Sequence, residues 1–572
     1  MNQSEIDQSV ATLVQHKDEW ATLSIGRKLS HLEEMRAKTG KVAERWVDAA
    51  AKAKRIPGDS PLSGEEWMSG PWALLRGLNQ LTRTLSALEK GQPPPLARDA
   101  VHTRPDGQVI VDVFPSSIFD RLLLNGFSAE VWMQPGVTAE QLTGQMASFY
   151  RESSPRGKVV LVLGAGNIAS IAPLDVLYKM FGEGRVCLLK MNPVNDYLGP
   201  FFEEIFGSLI DAGFVRFAYG GADVGAYLVA HEGIDEVHVT GDYRTYNAIV
   251  YGTGEEGEKR RQRDEPAVTK PVTAELGNVS PTIVVPGPWS PADIAYQAEH
   301  VLTQKTHNAG FNCVATQVLV LPEEWDKTDD FVAAIRGMMK RSRPREPYYP
   351  GAAQRQGAVV AEHPEAELFE PAPGGAIPRV LITGLDATNS EEYCFTHEFF
   401  SDVLSVTKLP GSTAAEFLAA AVHFCNESLW GTLGANIIVH PQTMKELGPA
   451  LESAIADLRY GCIGVNAWIG VGFLLSETTW GAYPGHERDD IKSGTGVAHN
   501  SLLFDKPQKT VVRQPFFPFP RNLLHGEMHM SPKPAWFVTN KQSHNLGRLI
   551  TGFEARPRFR DLPGIFVAAL RG

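Results

Sequence analysis

The chain has 572 residues, 43% of them hydrophobic and 21% charged, with a formal net charge of −12. That is enough apolar material for a large core divided among several lobes, and the composition is far from that of a disordered chain. The acidic balance argues against a nucleic-acid or anionic-membrane partner, and no run approaches the roughly 18 uninterrupted apolar residues of a membrane span.

Residues 1 to about 90 carry apolar positions every three or four residues, as in Leu29, Leu32 and Met35 and then Trp46, Ala49 and Ala50, which predicts helices. The start of the chain is polar throughout and has no signal-peptide core, so a cytoplasmic location is expected. The run Gln92-Pro93-Pro94-Pro95 ends the helical region. Between 108 and 135 short β-rich runs read as an early hairpin or a sheet edge. From 158 strands alternate with helices: KVVLVLGAGN, RVCLLK, FVRFAYG and EVHVTG are the strands of a parallel, doubly wound α/β sheet. The charged stretch 252–266 reads as an exposed loop. A second α/β pattern starts at 272 and runs through TQVLVLP and ANIIVHP. After the strand-like KTVVRQP at 509–515, about fifty residues rich in Pro, Phe and Arg match no pattern. Cys187, Cys313, Cys394, Cys425 and Cys462 form no C-x-x-C pair, and an odd, sparse set is no disulfide framework.

Two motifs carry chemistry. Gly164-Ala165-Gly166-Asn167-Ile168-Ala169 follows a strand and fits the dinucleotide fingerprint G-x-G-x-x-G/A, but the acid expected about 20 residues later is replaced by Lys190. A Gly-rich turn of this length is common without any ligand. The second is Asn308-Ala309-Gly310-Phe311-Asn312-Cys313, just before a strand, with Glu275-Leu276-Gly277-Asn278 ending another strand upstream. A cysteine and a carboxylate on separate sheet-tethered loops can face each other across a cleft. A buried, inert thiol is the plain alternative for Cys313, and a surface carboxylate for Glu275.

Taken together, these residues resemble the aldehyde dehydrogenase superfamily from about 158 to 515. The family's ordered motifs appear here as Asn167, Lys190, Gly221-x-x-x-Gly225, Thr240-Gly241, Glu275-Leu276-Gly277-Asn278-x-x-Pro281, Asn308-x-Gly310-x-x-Cys313, Glu398-x-Phe400 and Ser493-Gly494-x-Gly496. The resemblance implies an α/β fold with a Rossmann-type cofactor domain, an α/β catalytic domain and a small β oligomerisation element. The implied divisions are an N-terminal helical segment at 1–107, a dinucleotide-binding domain with early β elements at 108–271 and a catalytic domain at 272–500. Residues 501–572 would hold the oligomerisation strand and a C-terminal extension.

The resemblance also implies a covalent mechanism. Cys313 would attack an aldehyde, Asn167 and the Cys313 N–H would hold the oxyanion, and Glu275 would activate water to hydrolyse the thioester. The cofactor would be NAD or NADP. Lys190 and Glu398 would contact its riboses, Phe400 would pack nearby, and Gly221, Gly225, Thr240, Gly241 and Gly277 would let backbone come close. Pro193 stands where NAD-preferring members often carry glutamate, which leaves NADP open. Asp242 in place of serine is unfavourable beside a pyrophosphate unless it caps a helix, and Asn278 replaces a glycine. Trp468, Phe473 and Trp480 are candidates for an apolar aldehyde pocket, though such aromatics are more often plain core. The strand 509–515 would pair with a neighbouring subunit in a homodimer or homotetramer.

Two other functions compete: a coenzyme A-acylating reductase, disfavoured by Glu275, and a non-catalytic scaffold, disfavoured by the joint presence of Asn167, Lys190, Glu275, Cys313 and Glu398. No metal is expected. His525 and His529 are spaced for one helix face, but Gly526 and the nearby prolines favour a loop.

Overall fold

The two α/β stretches become two sheets in the computed structural model, which describes residues 2–58, 60–342, 345–369 and 377–572. The first sheet has the order Gly494–Thr495, Val272–Leu276, Glu236–Gly241, Val159–Leu163, Val186–Lys190, Val215–Ala218. Its strands are parallel except for Gly494–Thr495. The central strands are apolar on both faces because helices cover both, as buried parallel strands require. Chain order reverses between Val159–Leu163 and Glu236–Gly241, so their carboxyl ends open a crevice of the kind that holds ligands in α/β sheets.

The second sheet has eleven strands centred on Ser280–Val284, Thr316–Pro322, Gly434–Ile438 and Cys462–Val465. The shortest crossing of the chain between the sheets runs from Val272–Leu276 in the first to Ser280–Val284 in the second. Asn278 secures that crossing. Its amide donates to the Gly434 carbonyl at 3.1 Å, and its Oδ1 accepts from Ser280 Oγ at 2.9 Å. The departure from glycine is therefore a buried, hydrogen-bonded bolt.

Three expectations are corrected. The strands Val101–Thr103, Val109–Phe114 and Ser128–Met133 do not join the dinucleotide-type sheet, because their ladder runs through Pro507–Arg513 into the eleven-stranded one. Pro507–Arg513 is itself paired on both sides within the chain, parallel to Cys462–Val465 and antiparallel to Ser128–Met133, so it offers no free edge to a neighbouring subunit. The charged stretch after 252 contains a helix, Gly254–Gln262, with Glu255 and Glu256 in its first turn and Lys259, Arg260 and Arg261 in its last. Charges placed that way oppose the helix dipole and form i,i+4 pairs, so polarity here stabilises a helix.

The N-terminal helices form as expected. Asn2 and Glu5 make a reciprocal capping box for Gln3–Thr22, and Ser24 caps Ile25–Ala53. Trp20 and Trp46 are fully buried, and the Trp20 indole donates to the Met180 carbonyl at 3.2 Å. Gly70 breaks helical geometry before Pro71, which turns the chain into the helix Ala73–Glu89. The C-terminal extension is built into this layer. Its helix Ser543–Ala555 packs against the N-terminal segment so closely that a side chain at Gly64 would collide with Ser543, and Leu562–Leu570 packs on that helix. Among the described residues, no helix is long and apolar enough to cross a membrane.

Candidate active site

The helix Pro291–Thr306, capped by Ser290 and Asp293, delivers the chain to a sharp turn. Asn308 (φ 56°), Ala309 (φ 58°) and Gly310 (φ 79°) are all left-handed. Glycine adopts this without strain and asparagine tolerates it, which explains the N-x-G spelling. A Cβ on Gly310 would lie 3.0 Å from the Ser401 backbone and be crowded there. The turn sets Cys313 into a cleft just ahead of the strand Thr316–Pro322. Its Sγ lies 4.0 Å from Glu275 Oε1 and 3.9 Å from Asn312 Oδ1.

Glu275 is fixed by both strands beside it, in register with Thr240 on one side and Gly494 on the other. It is buried. Trp480 Nε1 donates to its Oε1 at 2.7 Å, while its Oε2 has no protein partner. Burial pushes the carboxyl up to about 8; the charge of Asp175 adds to this and the Trp480 hydrogen bond opposes it. Burial also drives the Cys313 thiol well above its ordinary value, reinforced by Glu275 and Glu398. Both shifts favour the protonated forms, the thiol's more completely than the carboxyl's, which keeps an ionised fraction near neutral pH.

Asn167 donates from Nδ2 to the Phe311 carbonyl at 3.1 Å, which ties the Gly turn of the first sheet to the cysteine loop of the second. Its own carbonyl accepts from Lys54 Nζ at 3.0 Å and from Tyr348 OH at 3.0 Å. Lys54 also holds Glu66 Oε1 at 2.8 Å and Asn308 Oδ1 at 3.0 Å, fully buried with its partner. The N-terminal segment thus clamps both asparagines. Replacing Lys54 by methionine leaves the Glu66 carboxylate buried and unpaired, so a loss of about 3–5 kcal/mol is expected, read by chemical denaturation. Lys54, Glu66 and Tyr348 lie in segments with no motif, and nothing in the sequence marks them.

On the first-sheet side, Cys313 and Glu275 open into a cleft of about 670 Å³ whose walls include Asn167, Thr240, Gly241, Gly277, Glu398 and Phe400. Glu398 Oε1 is buried without a partner, and its carboxyl is pushed well up by burial and by Asp242. A Cβ on Gly277 would land on this carboxylate. Gly277→Ala is expected to raise the cofactor KM at least tenfold while leaving the melting temperature within a few degrees, measured by initial rates and thermal unfolding. Arg355, which has no sequence signal, fixes the loop after Glu398 by donating to the Phe399 and Phe400 carbonyls at 2.9 and 3.1 Å.

Thr240 turns its hydroxyl to Asp175 at 3.0 Å, so it contributes backbone to the cleft. Asp242 caps the helix Tyr243–Tyr251, accepting from the Arg244 N–H at 2.7 Å, which resolves its misfit beside a phosphate. Lys190, Gly221 and Gly225 lie outside this cleft. Lys190 pairs in register with Leu163 at the strand ends, and Gly221 precedes the helix Ala222–Ala230. Gly164 and Gly166 serve packing: a Cβ on either would press on Ala172 or Asn192.

On the opposite side of the thiol is a second, apolar cavity of about 400 Å³, lined by Ile168, Ile171, Trp468, Phe473 and Trp480 with Cys313 and Glu275. All three aromatics singled out from the sequence face it. In the C-terminal region His525 stacks on Phe517 and His529 pairs with Glu527, so these two histidines do not converge.

Residues 131–368 match the model of the aldehyde dehydrogenase family. Over that segment, less than half of its length, the chain is similar to aldehyde dehydrogenases. A coniferyl aldehyde dehydrogenase of Pseudomonas sp. (strain HR199 / DSM 7063) is 30% identical over 202 residues, which is 35% of this chain and 37% of that protein. The match therefore spans little more than a third of the relative's length. The fold agrees over much more of the chain. A glyceraldehyde-3-phosphate dehydrogenase from Methanocaldococcus jannaschii, solved with NADP, superposes with a TM-score of 0.58 at 12% identity, covering 90% of this chain and 95% of that one. A mutant aldehyde dehydrogenase C from Pseudomonas syringae, solved with NAD+ and octanal, gives 0.57 at 16% identity and covers 90% of each.

The superfamily motifs are not equally distributed over the site. Those of Asn167, Thr240, Glu275, Cys313 and Glu398 converge on the one cleft, while those of Lys190 and Gly221 lie farther along the first sheet. The motif of Ser493 is structural, its hydroxyl donating to the Gly277 carbonyl at 2.9 Å and so fixing the crossing between sheets.

Proposed function

We propose that this protein oxidises an aldehyde to its carboxylic acid with NAD or NADP, using Cys313 as nucleophile and Glu275 as the base that activates water. The observation that carries the reading is the 4.0 Å approach of the Cys313 sulfur to a buried carboxylate between an apolar cavity and a polar cleft. The residues fit a nicotinamide dinucleotide. The orphaned Glu398 Oε1 needs a hydroxyl donor, space lies open beside Gly241 and Gly225, and a nine-residue helix begins after Gly221. Glu398 and Lys190 would hold its riboses. When bound, the nicotinamide supplies the hydride acceptor for the oxidation step.

The chain's own residues do the rest. Cys313 passes its proton to water in the cleft and its sulfur forms a bond to the aldehyde carbon, as the carbonyl electron pair moves onto oxygen. The second amide hydrogen of Asn167 and the Cys313 N–H stabilise that oxygen. After oxidation the acyl group is a thioester on Cys313. Glu275 takes a proton from water as the water oxygen bonds to the acyl carbon, and the carbon–sulfur bond then breaks to release the acid and return the thiolate. A carboxylate raised to about 8 is a stronger base than a free one, and it stays partly deprotonated near neutral pH.

The test is to follow reduced nicotinamide with NAD and NADP over a panel of aldehydes. Steady turnover without coenzyme A supports the reading. Turnover only with coenzyme A replaces hydrolysis by acyl transfer, and silence under both conditions favours a scaffold. NAD is the expected choice. Asp223 and Asp196 lie close enough to Lys190 to oppose the lowering of its pKa by burial, and the same negative charge repels a ribose 2′-phosphate. Asp223→Asn is expected to raise kcat/KM with NADP relative to NAD about tenfold, close to ~1.4 kcal/mol.

A further inference from the structure

The apolar cavity beside Cys313 has a larger neighbour. Leu474 lines both, and two pairs of adjacent residues divide between them. Ser69 and Gly470 line the thiol-side cavity, and Met68 and Val471 line the second. The second chamber encloses about 1050 Å³, counting its open mouth. Its far wall is built by the C-terminal extension that matched no motif, through Trp536, Leu546, Ile550, Phe553, Ile565 and Phe566. Met530, 56% exposed, stands at its rim.

The chamber also contains charged side chains, and their pairing decides what it can hold. Arg76 lies 2.8 Å from Asp120 and 3.8 Å from Glu554, and it also pairs with Glu477. Arg76 is thus held by three acidic groups, and Lys533, the other cation among the described lining residues, pairs with Glu299 at 2.8 Å, so both are already engaged and neither stands open to an anionic ligand. The rest of the lining is mostly apolar, and through Leu474 it adjoins the wall of the catalytic cavity.

We propose that this chamber receives the hydrocarbon tail of a medium- or long-chain aliphatic aldehyde whose carbonyl lies at Cys313. On this view residues 530–569 are a specificity element closing the far end of the substrate site. The proposal rests on the aldehyde dehydrogenase reading for the position of the carbonyl. Leu474, shared by both cavities, is the point past which the tail runs. Each methylene that leaves water is worth about fourfold in kcat/KM, so a chain reaching the chamber gains selectivity that a short aldehyde cannot.

The test compares decanal with propanal on the full chain, for wild type, Ile550→Trp, which fills the chamber from a half-buried position, and Phe566→Ala, which enlarges it. Wild type is expected to favour decanal by at least a hundredfold in kcat/KM. The Ile550→Trp variant is expected to cut that ratio at least tenfold, and Phe566→Ala to shift preference toward longer chains. A ratio near one in wild type, or one unchanged by Ile550→Trp, overturns the proposal. Calorimetric titration with decanol tests the chamber without catalysis. Binding by wild type that weakens at least tenfold in Ile550→Trp supports it, whereas no binding, or equal binding by both, overturns it. A protein that binds decanol in this way but oxidises no aldehyde keeps its chamber and loses the dehydrogenase reading.

Discussion

Cys313→Ala is expected to lower steady-state turnover by at least ~10⁴-fold and to abolish any burst of reduced nicotinamide, because the variant cannot form the covalent adduct from which oxidation proceeds. The substitution removes a half-buried side chain at a cavity wall, so the fold should survive, and circular dichroism checks that it does. The other four cysteines give a built-in control. Cys187, Cys394, Cys425 and Cys462 are buried, and burial holds each thiol above its ordinary value. An alkylating reagent should therefore label Cys313 first, and lost activity should track that single modification. Because burial and two carboxylates keep the Cys313 thiol protonated as well, labelling should be slow at neutral pH and accelerate when NAD is added. Activity that persists in Cys313→Ala, or labelling of another cysteine at the same rate, would remove the nucleophile from the mechanism.

Much of this site is legible in the sequence, and for a physical reason. Asn167, Thr240, Glu275, Cys313 and Glu398 all sit at strand ends or in the turns next to them, and their neighbours spell the local backbone. The left-handed run Asn308–Gly310 is one such spelling, and the Gly277 that makes room for Glu398 is another. Local conformational demand leaves a local mark. What holds those turns together leaves none. Lys54 and Tyr348 reach the Asn167 carbonyl from segments 113 and 181 residues away in sequence, so no window of residues contains the contact.

The same limit explains the sheet assignments. The periodicity of 108–135 identifies strands correctly but says nothing about their partners. Their ladder is closed by Pro507–Arg513, nearly four hundred residues later. The helix Gly254–Gln262 was hidden for a different reason: its stability comes from charge order along the helix, which mean polarity does not record. Two of the three departures from the superfamily pattern, Asp242 and Asn278, are resolved by hydrogen bonds to backbone or to a neighbouring side chain. A motif mismatch therefore weighs little until the replacement's partners are known.

Glu275→Gln is expected to separate the two halves of the reaction. Glutamine keeps the shape and can still accept from Trp480, so acylation should proceed and give a burst of one reduced nicotinamide per site. Hydrolysis should then slow by ~10²–10⁴-fold, the usual contribution of a positioned base. The acyl-enzyme should accumulate and be detectable as added mass on Cys313. The pH profile supplies a second, independent sign. A base works only when deprotonated, and Glu275 is held up to about 8, so wild-type hydrolysis should rise about tenfold per pH unit toward pH 8 and level off above it. The slow step of Glu275→Gln should lack that limb. Trp480→Phe should move the limb in a known direction: its indole N–H stabilises the ionised carboxylate, so losing it raises the pKa further and shifts the rise to higher pH. A profile that stays put in Trp480→Phe would mean that the titrating group is not Glu275. A Glu275→Gln variant that turns over without a burst would mean that water is activated elsewhere.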